Sequence, residues 1–176
     1  MRRLLVPGRG VPRPEHWLNR WATQPSYEWA PYPPGPPFVL DDRVATLHRV
    51  VAASDEEVVL VAHSAGCLTT VFWSARHTGP VVGALLVTPP YIDPEWTPGP
   101  DDPPDATPWV VPREALPFRS VLVASRTDPY TSFQQFEEYA ADWGSELFDA
   151  GDVGHLDTKS GFGPWPEGER LVADLG

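Results

Sequence analysis

Short apolar runs recur along this chain, and they are apolar on both faces of an extended strand. Such runs are typical of parallel strands that helices cover on both sides. The clearest runs are residues 3–8, 58–62, 81–90 and 120–125, with weaker candidates at 145–150 and 27–32. The pattern predicts a mainly parallel sheet of about six strands.

Amphipathic helical patterns separate these runs. They cover residues 15–24, 41–54, 65–77, 132–144 and 167–174. Strands that alternate with helices predict an α/β fold, here a three-layer sandwich with helices on both faces of the sheet and right-handed crossovers. The length of 176 residues suits a single domain, residues 1–176.

One segment interrupts the alternation. Residues 89–117 contain ten of the 23 prolines, so a long helix or a central strand is excluded there. The segment follows a strand, at the end where open α/β sheets bind ligands. It is therefore either a solvated loop or a flap over the substrate. The proline-rich residues 31–38 are interpreted as a rigid connection.

The charge of the chain limits its partners. It has 24 acidic and 13 basic residues, for a formal net charge of −11, which disfavours nucleic acid and anionic membranes. Its one cysteine, Cys67, excludes an internal disulfide and favours a reducing compartment. No apolar run is long enough for a secretory signal or a membrane span. We expect a cytoplasmic protein without a cofactor or a metal site.

The most informative motif is Ala62-His63-Ser64-Ala65-Gly66, between a predicted strand and a predicted helix. A serine between small residues at such a turn is typical of the nucleophile elbow of α/β-hydrolases, whose backbone is strained and closely packed. Ala62 replaces the first glycine of the usual pattern. Ser64 is predicted to be a nucleophile, with a structural helix cap as the alternative.

A serine nucleophile needs a base, and five histidines compete for that role. His155 is favoured because it lies in a glycine-bearing loop after a predicted strand. The third member should be a carboxylate between the serine and the histidine. Asp128 follows the preceding strand and is the preferred candidate, with Asp93 and Asp152 as rivals.

Other residues are expected to surround this predicted triad. The backbone N–H of Ala65, together with that of Arg9 or Gly10 in the loop after the first strand, should form the oxyanion hole. Large aromatic side chains can line a substrate pocket, although they more often pack in the core. Of the eight tryptophans, Trp17 and Trp165 are the candidates for substrate binding.

With these residues assembled, the chain resembles the retinoblastoma-binding-protein-nine or YdeN-like small serine hydrolases, within the α/β-hydrolase superfamily. The resemblance is carried by the stretches VPGRG, EHWLNRW, VVLVAHSAGCL, VGALLVTPP, SVLVASRTDPY and GHLDTKSGFGPWPEG. It implies a compact sheet without a large cap domain, a triad of Ser64, Asp128 and His155, and esterase-like activity on small substrates. The departures from the pattern are Ala62 and Glu15.

The predicted activity is therefore cleavage of a carboxylic ester, or of a thioester or amide, through an acyl-enzyme. One alternative is an acyltransferase or cyclase, which would use the same triad with an acceptor other than water. Another is a protein with a hydrolase fold and little turnover, which would bind a protein partner through residues 89–117.

Overall fold

The computed structural model describes residues 1–30, 38–97, 100 and 109–176. In these residues one sheet of six parallel strands runs through the molecule, in the order β2-β1-β3-β4-β5-β6. The strands are β1 (Arg2–Val6), β2 (Tyr27–Trp29), β3 (Val58–His63), β4 (Val81–Val87), β5 (Arg119–Ala124) and β6 (Glu146–Asp149). Each predicted apolar run therefore contributes a strand to one sheet.

Helices cover both faces of this sheet. They are α1 (Trp17–Trp21), α2 (Leu40–Val51), α3 (Ala65–Arg76), α4 (Phe133–Trp143) and α5 (Pro166–Asp174), and a short 3₁₀ turn spans Thr158–Ser160. Buried side chains of α2, α3 and α4 form one core with one face of the strands. Those of α1 and α5 form a second core on the opposite face. The arrangement is the three-layer α/β sandwich that the alternation predicts.

The central strand β3 explains why the sheet must be covered on both sides. All six of its residues are buried, because their side chains alternate between the two cores. Leu60 belongs to the core under α2, α3 and α4, whereas Val59 and Val61 belong to the core under α1 and α5. A strand that is apolar on both faces is stable only between two layers of helices.

Local signals set the helix ends with varying accuracy. Helix α4 begins at a capping box, in which the Ser132 side chain accepts from the backbone of Gln135 and the Gln135 side chain accepts in return, and it ends at Gly144 with φ 65°. Helix α2 begins at Leu40 after Val39, which makes no side-chain cap hydrogen bond. Its acidic residues lie in the first turn, where they favour the helix dipole.

Two predicted connections fall partly outside the described residues. Residues 31–37 do so, and with them most of the connection predicted at 31–38. Of the proline-rich segment 89–117, residues 89–97, 100 and 109–117 are described, and these contain no helix or strand. Over the described parts of the chain there is no large cap domain, and no helix is long and apolar enough to cross a membrane.

Candidate active site

Ser64 lies between β3 and α3 in a backbone conformation that is unusual for a residue with a side chain. Its φ is 55° and its ψ is −128°. The backbone stays paired with the sheet through this turn, because Ser64 N donates to Val87 O at 2.9 Å. Although Ser64 is the N-cap residue of α3, its side chain makes no cap hydrogen bond. Its hydroxyl is therefore not consumed by helix capping.

The turn is packed so closely that small neighbours are required. A Cβ atom added to Gly66 would lie 2.1 Å from Val6 O, which is a backbone atom that cannot move away freely. A Cβ added to Gly8 would lie 3.1 Å from Ser64 Cβ. Glycine at these two positions allows α3 and the loop after β1 to approach the serine. The methyl group of Ala62 is accommodated in the core.

His155 is paired with Asp128 across the ends of β5 and β6. His155 Nδ1 lies 2.6 Å from Asp128 Oδ2, and both side chains are almost entirely shielded from solvent. The carboxylate accepts at this position, so Nδ1 carries the proton and Nε2 of a neutral ring is free to take one. The pair has the arrangement of a histidine base and its orienting carboxylate.

The Asp128 carboxylate is fully used as an acceptor. Its Oδ1 accepts backbone hydrogen bonds from Tyr130 at 2.7 Å and Thr131 at 3.1 Å, while Oδ2 faces His155. The two rival carboxylates, Asp93 and Asp152, are exposed, and within the described residues neither forms a hydrogen bond or ion pair with the His155 ring. Only Asp128, of the three candidates, is in position to orient His155.

Side chains from distant elements hold the backbone of the His155 loop. His63 Nε2 donates to His155 O at 2.9 Å, and Thr88 Oγ1 donates to the same carbonyl at 3.4 Å. Trp17 Nε1 donates to Leu156 O at 2.9 Å. Leu156 has a φ of 47°, a strained value that the surrounding contacts must maintain.

A cavity of about 570 Å³ opens beside the serine. Its lining includes the hydroxyl-bearing Ser64, the predicted base and the loop after β1: Gly8, Arg9, Gly10, Ser64, Ala65 and His155. Leu68, Pro90, Ile92 and Trp109 supply apolar surface. Three of these four belong to the proline-rich segment or its flank. The described part of that segment therefore borders the cavity.

Within the described residues, Ser64 Oγ and the His155 ring are not joined by a hydrogen bond. Both side chains nevertheless line one cavity. Serine and histidine contacts are often long in free enzymes and tighten when substrate binds. The hydrogen bond between Asp128 and His155 is thus formed in this structure, while the one between His155 and Ser64 is not.

The predicted oxyanion donors also border the cavity. Ala65 is the first residue of α3, so its N–H has no acceptor within the helix. The N–H groups of Arg9 and Gly10 donate to no backbone carbonyl in the described residues. These three groups are therefore available to a bound substrate, and the positive end of α3 adds to their effect.

Trp17 and Trp165, the tryptophans expected to bind substrate, do not line this cavity. Both rings are buried in the core, with centroids 5.1 Å apart. Trp17 is fully enclosed, whereas Trp165 borders a separate cavity of about 430 Å³. Large apolar rings lose most of their water contact by packing together, and here that preference decides their position. Trp109 is the tryptophan that lines the serine cavity.

Two histidines that the sequence did not single out accompany His155. The rings of His16 and His63 lie 5.0 Å apart, and those of His63 and His155 also lie 5.0 Å apart. Burial lowers the pKa of His16 to about 4, against an opposing effect of Asp157, and lowers the pKa of His63 to about 3. Both rings are neutral at pH 7. The sequence marks these two histidines only weakly as part of the site, because a histidine next to a tryptophan or a serine belongs to no motif with a defined spacing.

Cys67 is excluded as an alternative nucleophile. Its thiol is fully buried and donates weakly to the carbonyls of Ala62 and Val87. Burial raises the pKa of the Cys67 thiol, so the reactive thiolate does not form near neutral pH.

Comparison with known proteins extends these observations. The family model described as serine hydrolase matches residues 3–174. The crystal structure of a putative YdeN-like hydrolase from Pectobacterium atrosepticum is 26% identical, with a TM-score of 0.82 over 99% of this chain and 89% of that chain. No curated protein sequence matches the chain.

More distant structures share the fold. The ydeN gene product of Bacillus subtilis is 17% identical, with a TM-score of 0.69 over 99% of this chain and 98% of that chain. A monoacylglycerol lipase from Paleococcus ferrophilus is 12% identical, with a TM-score of 0.65 over 98% of this chain and 91% of that chain. The six-stranded sheet and its helices are thus those of α/β-hydrolases.

Proposed function

The chain belongs to the serine hydrolase family, and we propose that it cleaves small carboxylic esters with Ser64 as nucleophile, His155 as base and Asp128 as the carboxylate that orients His155. The hydrolase class follows from the family. The triad and the ester substrate are the proposal. Thioesters and amides are the alternative substrates, since the same triad would cleave them through the same acyl-enzyme.

The reaction begins when Ser64 Oγ attacks the ester carbonyl and its proton moves to His155 Nε2. The resulting tetrahedral oxyanion accepts hydrogen bonds from the N–H of Ala65 and from the loop containing Arg9 and Gly10. The bond to the leaving alkoxide then breaks, and His155 transfers the proton to that alkoxide. Water, deprotonated by His155, attacks the acyl-enzyme, and breakdown of the second oxyanion returns the proton to Ser64 and releases the acid.

The observation that carries the proposal is the strained backbone conformation of Ser64 together with the position of its side chain. A non-glycine residue at φ 55° costs roughly 1–3 kcal/mol, and such strained residues cluster at active sites. In this chain that residue is a serine whose side chain caps no helix and lines the same cavity as a buried His155–Asp128 pair. A purely structural turn would not need this combination.

The proposal is tested by labelling with a fluorophosphonate and by hydrolysis of p-nitrophenyl butyrate. Wild type should be labelled and should hydrolyse the ester, and Ser64→Ala should lose the label and at least about a thousandfold in kcat/KM. Ser74→Ala is the matched control: this α3 serine bonds Val71 O and is outside the cavity, so that variant should keep both properties. A Ser64→Ala protein that is labelled like wild type would refute the assignment.

A further inference from the structure

Positively charged side chains surround the cavity beside Ser64, although the chain as a whole is strongly acidic. Arg9, Arg13 and Lys159 all line this cavity and all are exposed. Lys159 is the only lysine of the chain. Against these three cations the described lining contains one carboxylate, that of Asp157. The described lining therefore carries a net positive charge, opposite in sign to the −11 of the whole protein.

In the part of the chain that the structure describes, these three cations have no acidic partner, unlike five arginines elsewhere in the chain. Within the described residues, none of Arg9, Arg13 and Lys159 forms an ion pair or bonds a carboxylate. The arginines that do form ion pairs are Arg2, Arg76, Arg113, Arg126 and Arg170, and none of them lines the cavity. All three basic residues of the described lining are therefore free to pair with an anion in the cavity.

The one carboxylate of the lining is already engaged. Asp157 Oδ1 accepts from both the backbone N–H and the hydroxyl of Ser160, at 2.9 Å and 2.8 Å, and caps the 3₁₀ turn that carries Lys159. Burial raises the pKa of Asp157, but these hydrogen bonds and the nearby histidines outweigh it, so the net pKa is lowered and the group stays ionised. It makes no ion pair with the cations.

Arg9 is held at the edge of the cavity by aromatic rings. Its guanidinium lies 5.8 Å from the ring centroid of Phe38 and 5.9 Å from that of Trp109. Cation–π contacts of this kind orient the group while leaving its N–H donors free for a second partner. A planar fork of donors matches a carboxylate.

We propose that the ester substrate carries a carboxylate, and that Arg9, Arg13 and Lys159 bind it. This inference rests on the proposed function. The substrate is then amphipathic: its ester lies at Ser64, its apolar part contacts Leu68, Ile92 and Trp109, and its charged end faces the cations. A cleft that concentrates one sign of charge also raises the local concentration of an oppositely charged ligand.

Pairs of esters that differ only in charge test this inference. In the first pair, p-nitrophenyl hydrogen glutarate has the carboxylate on the acyl group, and p-nitrophenyl isoheptanoate replaces it with an isopropyl group of the same shape. In the second pair, m-carboxyphenyl butyrate and m-isopropylphenyl butyrate differ in the leaving group. For each pair the readout is the ratio of kcat/KM for the anionic ester to that for the neutral one.

Wild type should prefer the anionic ester in at least one pair by about tenfold, and added salt should reduce that preference. Arg13→Gln and Lys159→Gln should each lower the ratio by about threefold to tenfold. Arg49→Gln is the matched control, because it removes the same charge from an exposed position on α2 that bonds only Thr46; its ratio should equal that of wild type.

Each outcome decides one hypothesis. The pair that shows the preference identifies whether the carboxylate belongs to the acyl or the alcohol portion. Equal ratios in wild type and in the Arg13 and Lys159 variants, in both pairs, would overturn the proposed carboxylate. Hydrolysis of the neutral esters that survives Ser64→Ala would instead refute the proposed function, whatever the charge preference.

Discussion

The Ser64 turn and the His155 loop lie side by side but are held in place by different means. At the Ser64 turn the main requirement is the absence of a side chain on Gly66, which lets α3 approach β1. The Ser64 side chain makes no hydrogen bond that caps α3. The His155 loop is instead held by hydrogen bonds, because side chains from α1, β3 and the end of β4 donate to the carbonyls of His155 and Leu156.

The two regions should therefore lose stability for different reasons. The Ser64 turn is tight, so a methyl group added to Gly66 must displace backbone atoms. The His155 loop depends on neutral, buried hydrogen-bond donors, so it is sensitive to proton uptake and to the loss of one N–H. The three predictions below separate the two kinds of constraint.

The largest effect is expected from Gly66→Ala, which attacks the Ser64 turn. Its Cβ would lie 2.1 Å from Val6 O, so β1 and α3 must separate and lose core contacts. The free energy of unfolding, measured by urea denaturation, should fall by about 3 kcal/mol or more. Gly163→Ala is the control, because its Cβ meets nothing within 4 Å and its stability should be unchanged. Equal stability of both variants would contradict the account of the turn.

The next effect is acid destabilisation of the region around the His155 loop. The pKa values of His16 and His63 are about 4 and about 3, below the ordinary value of 6.5, so the unfolded state binds more protons across this window. Their stabilisation is complete above pH 6.5 and is lost as pH falls towards these values. For each histidine, the free energy of unfolding should fall by about 1.4 kcal/mol per pH unit in the window, or by about 2 kcal/mol between pH 7 and pH 5.

The His63→Asn variant assigns part of this pH dependence. Asparagine offers an N–H donor without titrating, so urea denaturation at pH 7 and pH 5 should show a loss smaller than that of wild type by about 2 kcal/mol. If the two proteins lose stability equally over this range, His63 is not the group that takes up the proton.

The smallest effect comes from a single hydrogen bond to the His155 loop. Trp17→Phe and Trp21→Phe remove the same atoms from equally buried rings of α1. Only Trp17 donates to Leu156 O, whereas Trp21 Nε1 bonds no described residue. Trp17→Phe should therefore be less stable by about 1–2 kcal/mol than Trp21→Phe, by urea denaturation. It should also lower kcat with little change in KM; equal kcat in both variants would contradict a positioning role.

Much of the fold was predictable because its signals are local. Runs apolar on both faces predicted β1, β3, β4 and β5, and two weaker candidates predicted the short β2 and β6. The capping box and Gly144 mark the ends of α4 in the sequence itself. The start of α2 was less accurate, because Val39 caps it without a side-chain hydrogen bond and so leaves no signal.

The candidate site was predictable to the extent that its residues follow strands. Ser64, Asp128 and His155 each come shortly after an apolar run, and a parallel sheet brings such positions to one edge. Trp17 and Trp165, predicted as substrate contacts, lie outside the serine cavity, and the sequence does not show which aromatic rings pack against one another. The role of His63 as a donor to His155 O was equally hidden, because the two residues are 92 positions apart.

The sequence by itself determined the order of strands and helices along the chain, the small residues at the Ser64 turn and the acidic net charge. Each of these depends on neighbouring residues or on composition alone. Only the tertiary structure decided which side chains reach the carbonyls of the His155 loop and which tryptophan borders the cavity. It also decided that three cations collect beside Ser64 in an otherwise acidic protein. These outcomes depend on contacts between distant segments, and the packing of the two cores sets those distances.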